Sequence, residues 1–277
     1  MSETLFQMRY ENFNLKPLSG ALGASIEGVN LTALDKDTLE EIAHAFATYH
    51  LLLFRDQFLT LDNLVTLGSH FGNLLSLPPG ETLDEYPSLL CVQDAKESAP
   101  YYLCNQWSSD MSFLHSPPHY SLSYCSDTQG FGGESVFATQ SLAYESLSHT
   151  TQAILSNLKA MHSNPMPTIA KDTSAKTEDS ATIQPVVRTL EDTGVKAIYV
   201  NPTFTREIHG MKEAESQMLL SFLYDHVTQE SFTCRFTWEK DTLAIWDNRC
   251  LQHLNLVNDA MGKRTLYKAM IQGIKPY

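Results

Sequence analysis

Apolar and polar positions alternate along this chain with two different periods. Over LDKDTLEEIAHAFATYH, residues 34–50, apolar side chains fall at Leu39, Ile42, Ala43 and Phe46, the spacing that predicts a helix with one buried face. The run HLLLFRDQ that follows is continuously apolar at its start and reads as a buried strand. A second helix is predicted over LTLDNLVTLGSHFG, with Thr60 as its N-cap and Gly72 closing it. The first quarter of the chain is therefore mixed α and β.

From Leu89 onward the period shortens. SLLCVQ, DMSFL, SLSYCS, ESVFAT, KAIYVN, SFTCRFTW, DTLAIWDN and RTLYKAMIQGI recur as short β-rich stretches between Gly, Pro, Asn and Asp turns. Regular short strands of this kind point to a sandwich or barrel rather than a parallel sheet. Two helical patterns, TQSLAYESLSHTTQAILSNL and KEAESQMLLSFLYDHV, interrupt them and are expected on the outside. The polar, aperiodic stretch over 163–184 is long for a connection and is expected to be a mobile lid loop. No repeat or shift of composition marks a boundary, so residues 1–277 are read as a single domain.

Composition narrows the function. Apolar residues make up 43% and charged residues 18%, as in a globular protein. The formal net charge of -13, with no local run of Lys and Arg, argues against a nucleic-acid partner. No basic leader and no stretch long enough to span a bilayer is present, so a cytoplasmic location without a membrane is expected. The five cysteines, Cys91, Cys104, Cys125, Cys234 and Cys250, are scattered without a C-x-x-C pair, which disfavours a disulfide framework or a thiolate zinc site.

The candidate chemistry lies in two places. An iron centre that must keep positions open for oxygen and a cosubstrate is well served by two imidazoles and one carboxylate. Two such ligands can come from one strand at i and i+2, where alternate side chains share a face. Ser108 and Asp110 hold that spacing in NQWSSDMSF, and His253 lies far downstream in IWDNRCLQHLN. Arg264 follows in RTLYKAM, suited to grip a carboxylate with two hydrogen bonds.

With these motifs, LSGALGASIEGVNL, LLLFRDQFLT, PPHYSLSYCSDTQGFGGESVFATQSLAYESLS and AIYVNPTFTREIHGM, the chain resembles, nearly end to end, the TauD/TfdA (taurine dioxygenase) family of Fe(II)- and 2-oxoglutarate-dependent dioxygenases. The resemblance implies an α+β, mainly β fold: a double-stranded β-helix, or cupin-like jelly roll, with flanking helices. It implies that Asp110 and His253 are iron ligands, with Ser108 at the position of a missing histidine. It further implies that Arg264, with Ser135 beside it, holds 2-oxoglutarate, and that Lys268 and Cys104 face the substrate.

The departures fall at the site. Ser108 replaces an imidazole with a poor neutral donor, Lys268 stands where the family has arginine, and Cys104 replaces a polar partner. Gln106, Cys104 and His115 are weak candidates to fill the gap; His70, His115 and His119 read as structural or exposed. Two functions follow. One is a dioxygenase-type oxidoreductase that hydroxylates or otherwise oxidises a small organic acid; the other is a degenerate member that binds 2-oxoglutarate or a related acid without turnover. A serine introduced to trap a complex would read the same as an inherited one. A homo-oligomer is compatible with either.

Overall fold

The structure is a computed structural model that describes residues 10–77, 82–93, 105–128, 133–164, 181–256 and 264–277. The elements begin with β1 (Asn14–Pro17), β2 (Ala24–Glu27), α1 (Lys36–Tyr49), β3 (Leu51–Phe54), α2 (Leu61–Phe71) and β4 (Leu89–Gln93). Next come β5 (Tyr120–Thr128), β6 (Glu134–Thr139), α3 (Gln140–Ser146), α4 (His149–Leu155), β7 (Lys159–His162), β8 (Thr182–Pro185) and β9 (Val187–Thr189). The last are β10 (Lys196–Ile198), β11 (Thr205–Ile208), α5 (Glu213–Val227), β12 (Thr233–Thr237), β13 (Thr242–Asp247), β14 (Leu251–Leu256) and β15 (Arg264–Ile271).

Seven strands form one sheet in the order β1-β2-β3-β13-β5-β15-β4, and β12-β6-β14 form a second. Phe137, Phe236 and Leu251 of the small sheet share a core with Leu53, Ala244, Trp246 and Leu266 of the large one, so the sheets close face to face. This is the expected jelly roll. Helices flank it: α1 and α2 cover the outer face of the large sheet through Ile42, Phe46, Leu64 and Leu67, while α5 lies over the small sheet's outer side through Leu220 and Leu223.

Both early helices have physical stops. Asp35 caps α1 by accepting from the Thr38 N–H, and His50 ends it in the left-handed region at φ 59. Thr60 and Asn63 form a reciprocal capping box on α2, and Gly72 closes it at φ 138, a conformation glycine tolerates. The buried stripe of α1 is Thr38, Ile42, Ala45, Phe46 and Tyr49; Ala43 is exposed, one position off the face the apolar spacing suggested.

Three expectations are revised. DMSFL is a turn, not a strand, with Met111 at φ 47. The helical pattern after β6 is two helices, because Leu147 leaves the helical region and Ser148 caps a new start. Of the expected lid, residues 165–180 lie outside the described residues, whereas Thr182–Pro185 pair in register with Lys159–His162. Among the described residues no helix is long and apolar enough to cross a membrane.

Candidate functional site

Strand alternation decides what faces the interior. On β13, Leu243 and Ile245 pack under the helices while Ala244 and Trp246 point between the sheets. On β15, Leu266 points inward and Ala269 and Ile271 outward, which turns Arg264 and Lys268 inward with Leu266. His253 shares the inward face of β14 with Leu251, and its ring stacks 5.6 Å from Phe137 and lies 5.3 Å from Trp246. Residues from opposite sheets thus meet in one interior.

Asp110 enters that interior from the turn before β5. A relay of side chains fixes one of its oxygens: Trp246 Nε1 donates to Asn248 Oδ1 at 2.9 Å, Asn248 Nδ2 to Ser121 Oγ at 2.8 Å, and Ser121 Oγ to Asp110 Oδ2 at 2.7 Å. The other oxygen, Oδ1, is approached twice. Lys268 Nζ donates to it at 2.5 Å, and His253 Nε2 lies 3.8 Å from it. The ammonium also sits 4.9 Å from the centre of the Trp246 ring.

Burial alone would push the Asp110 carboxyl up. The charges of Lys268 and His253 and the hydrogen bonds from Lys268 and Ser121 together hold it below the usual carboxylate range. His253 is lowered to about 4, chiefly by burial, with Asp110 opposing and Lys268 reinforcing the shift, so it is a neutral imidazole with a lone pair to offer near neutral pH. Its Nδ1 has no hydrogen-bond partner among the described residues, and ring stacking rather than a hydrogen bond orients it.

Arg264 is buried on the same strand face, its guanidinium 5.6 Å from the Trp238 ring centre. Ser135, expected beside it, is buried and linked to it through that indole: Trp238 Nε1 donates to Ser135 Oγ at 2.8 Å. Ser135 Oγ in turn donates to Asn255 Oδ1 at 2.6 Å. A hydroxyl has one proton. Ser135 therefore offers a carboxylate nothing unless it gives up Asn255.

Ser108 is buried, and its backbone pairs with His253 in both directions, N–H to C=O at 2.9 and 2.8 Å. Asp110 lies in the following turn, so the pair do not share one extended strand; the turn, not alternation, delivers the carboxylate. Cys104 lies outside the described residues. Gln106 and His115 are exposed and His119 accepts from the Ile274 N–H, so none of these three completes a ligand set. Sequence reasoning missed Ser121 and Trp246; the inward alternation of SLSYCS and DTLAIWDN was the signal that could have found them.

A second cluster has metal-like spacing: ligand atoms of His50, Asp247 and Cys250 lie within 4.8 Å of one another. Its carboxylate is already committed, because Arg249 Nε meets Asp247 Oδ1 at 3.0 Å and Nη2 meets Oδ2 at 2.8 Å. Burial pushes the Cys250 thiol well up, which keeps it protonated. It is a structural corner.

The profile of the family described as "Taurine catabolism dioxygenase TauD, TfdA family" matches residues 14–270. The chain belongs to the TauD/TfdA family. The TauD/TfdA chain is 30% identical to the alpha-ketoglutarate-dependent dioxygenase cnsM of Penicillium expansum, covering 91% of itself and 75% of that protein. It is 29% identical to an alpha-ketoglutarate-dependent sulfate ester dioxygenase of Pseudomonas putida, covering 95% and 90%. A crystal structure of a taurine dioxygenase from Burkholderia xenovorans superposes with a TM-score of 0.82 at 30% identity, covering 96% of this chain and 93% of that one.

The family is one of 2-oxoglutarate-dependent enzymes whose metal is Fe(II), and the residues of this chain fit that pair at some positions and depart from it at others. Asp110 Oδ1 and His253 Nε2 converge as two ligand atoms would, and Arg264 is buried on the face they share. Ser108 stands at the position where the family resemblance leads one to expect a further histidine. The cation that Asp110 Oδ1 meets is Lys268.

Proposed function

We propose that this chain is a dioxygenase-type oxidoreductase that uses Fe(II) and 2-oxoglutarate to oxidise a small organic acid. The observation that carries this reading is the approach of His253 Nε2 to Asp110 Oδ1, 3.8 Å apart, in the interior where Arg264 is also buried. Asp110 and His253 would hold the iron, which when bound supplies oxygen activation coupled to loss of carbon dioxide from 2-oxoglutarate. Arg264 would grip the distal carboxylate of that cosubstrate with two hydrogen bonds, in a dry setting where such a bond is strong. The Trp246–Asn248–Ser121 relay holds Asp110 in orientation, and the indole and phenyl rings around His253 keep water from the reacting centre.

Lys268 would meet the anionic group of the substrate once it is off Asp110. A sulfate ester, named for the Pseudomonas relative, is one such anion, and the net charge of -13 makes nucleic acid a poor partner. Succinate release is the test: protein with Fe(II), 2-oxoglutarate and a panel of small sulfonates, sulfate esters and carboxylates should form succinate with at least one. Absence of succinate across the panel overturns the reading.

A second reading has its own support. Ser108 and the Lys268–Asp110 pair favour a member that binds 2-oxoglutarate or a related acid without turnover. Calorimetry that shows 2-oxoglutarate binding alongside no succinate would select it.

A further inference from the structure

We propose that Lys268 is a built-in cation that fills the metal's place, so that a divalent ion enters this site only by displacing an ammonium from Asp110. The inference concerns the same interior as the proposed function and rests on the assignment of Asp110 and His253 as ligands. It adds which internal cation competes for that carboxylate.

Three observations carry it. Asp110 Oδ2 is spoken for by Ser121, at the end of a relay that starts on Trp246, so Oδ1 is the oxygen left to face a cation. Lys268 Nζ takes that oxygen at 2.5 Å, on the side where His253 Nε2 also approaches it. Both partners of the pair are largely withdrawn from water, with side-chain exposures of 13% and 12%. A buried carboxylate needs a compensating charge. Here the chain supplies one from residue 268, on the strand paired with β5.

The reach of the side chain makes this exchangeable. An ammonium is a point charge on a flexible stem with rotatable donors, and Lys268 holds Asp110 through one contact. The face of Trp246 beneath it is a further resting place for a cation, 4.9 Å away. Ser108 weakens the opposing side of the competition, since a hydroxyl contributes less to a divalent ion than an imidazole does. Ser108 thus lowers the pull of the metal, while Lys268 supplies the internal cation that competes with it.

The experiment uses the full chain stripped of metal, with Mn(II) alone as probe and no 2-oxoglutarate, so failure of turnover cannot be confused with failure of this proposal. Lys268→Met should bind Mn(II) about 100-fold more tightly than wild type, because a buried carboxylate left uncompensated regains its partner on binding. Equal affinity of the two overturns the proposal. A second arm needs no metal. Asp110→Asn should lower the melting temperature by roughly 5–10 °C in chelator, since it strands the buried ammonium, and Asp110→Asn with Lys268→Met should recover most of that loss. An Asp110→Asn protein as stable as wild type would show that the carboxylate is not compensated by Lys268, and the inference would fall. Should Lys268→Met not fold, Lys268→Gln carries the Mn(II) reading and Asp110→Asn with Lys268→Gln the melting-temperature reading.

Discussion

Asp110 and Asp247 are both carboxylates withdrawn from water and matched by a cation, yet they are built for opposite ends. Asp247 meets Arg249 two residues along, through Nε, Nη2 and the backbone N–H. The same guanidinium reaches Glu191 and Asp192 and lies 5.1 Å from the Tyr120 ring centre. Several short-range bonds from a planar fork leave that pair no way to part without breaking a network. Asp110 meets Lys268 across 158 positions of sequence through one contact to one oxygen. Multiplicity of bonds separates a permanent pair from one that can trade its partner.

The sharpest way to break this contrast is to remove each cation in turn. Arg249→Met should destabilise the fold by about 3–5 kcal/mol, measured by urea unfolding, because Asp247 is left buried and unmatched. A loss no greater than that of Lys268→Met would erase the distinction.

Next in size is acid sensitivity. His162 is buried between Ser112 and Thr205 and is lowered to about 3 from its ordinary 6.5, chiefly by burial with Arg206 adding to it. Its folded form excludes a proton that the unfolded chain accepts below 6.5, so stability is full above that value and falls as the pH drops. On the order of 3 kcal/mol should be lost by about pH 4, and His162→Gln should flatten that limb in a pH series of unfolding curves. The Asp110 carboxyl, held low, keeps its contribution above its ordinary 3.8 and loses it only below, so the two windows separate histidine from carboxylate.

Ser108→His should raise affinity for Mn(II) at least about tenfold by calorimetry, since even outer partners of a metal are worth that much. The backbone bridge to His253 already places residue 108 beside its would-be fellow ligand. The smallest effect belongs to Trp246→Phe, which removes the indole N–H at the head of the Asp110 relay and weakens the ring under Lys268. It should cost about 1 kcal/mol in chemical unfolding.

Much of the scaffold is legible in the chain. Thr60 and Gly72 bound α2 where their chemistry says they should, and ESVFAT is β6 residue for residue. DMSFL was misread because its apolar alternation is that of a strand while Met111 adopts a left-handed backbone that no local signal announces. β9 and β10 were missed or shortened because three-residue strands carry less than two periods of pattern. At the site, Asp110, His253 and Arg264 could be named from motifs. That Lys268 would lie on Asp110 could not, since it depends on the closure of two sheets and the length of one side chain.

The Lys268 ammonium above the Trp246 ring has an optical consequence. A charge held over one face of an indole shifts the energy of its excited state, so the emission of Trp246 depends on where the ammonium rests. Trp246, one of three tryptophans in the chain, therefore lies where its emission should respond if Lys268 leaves Asp110.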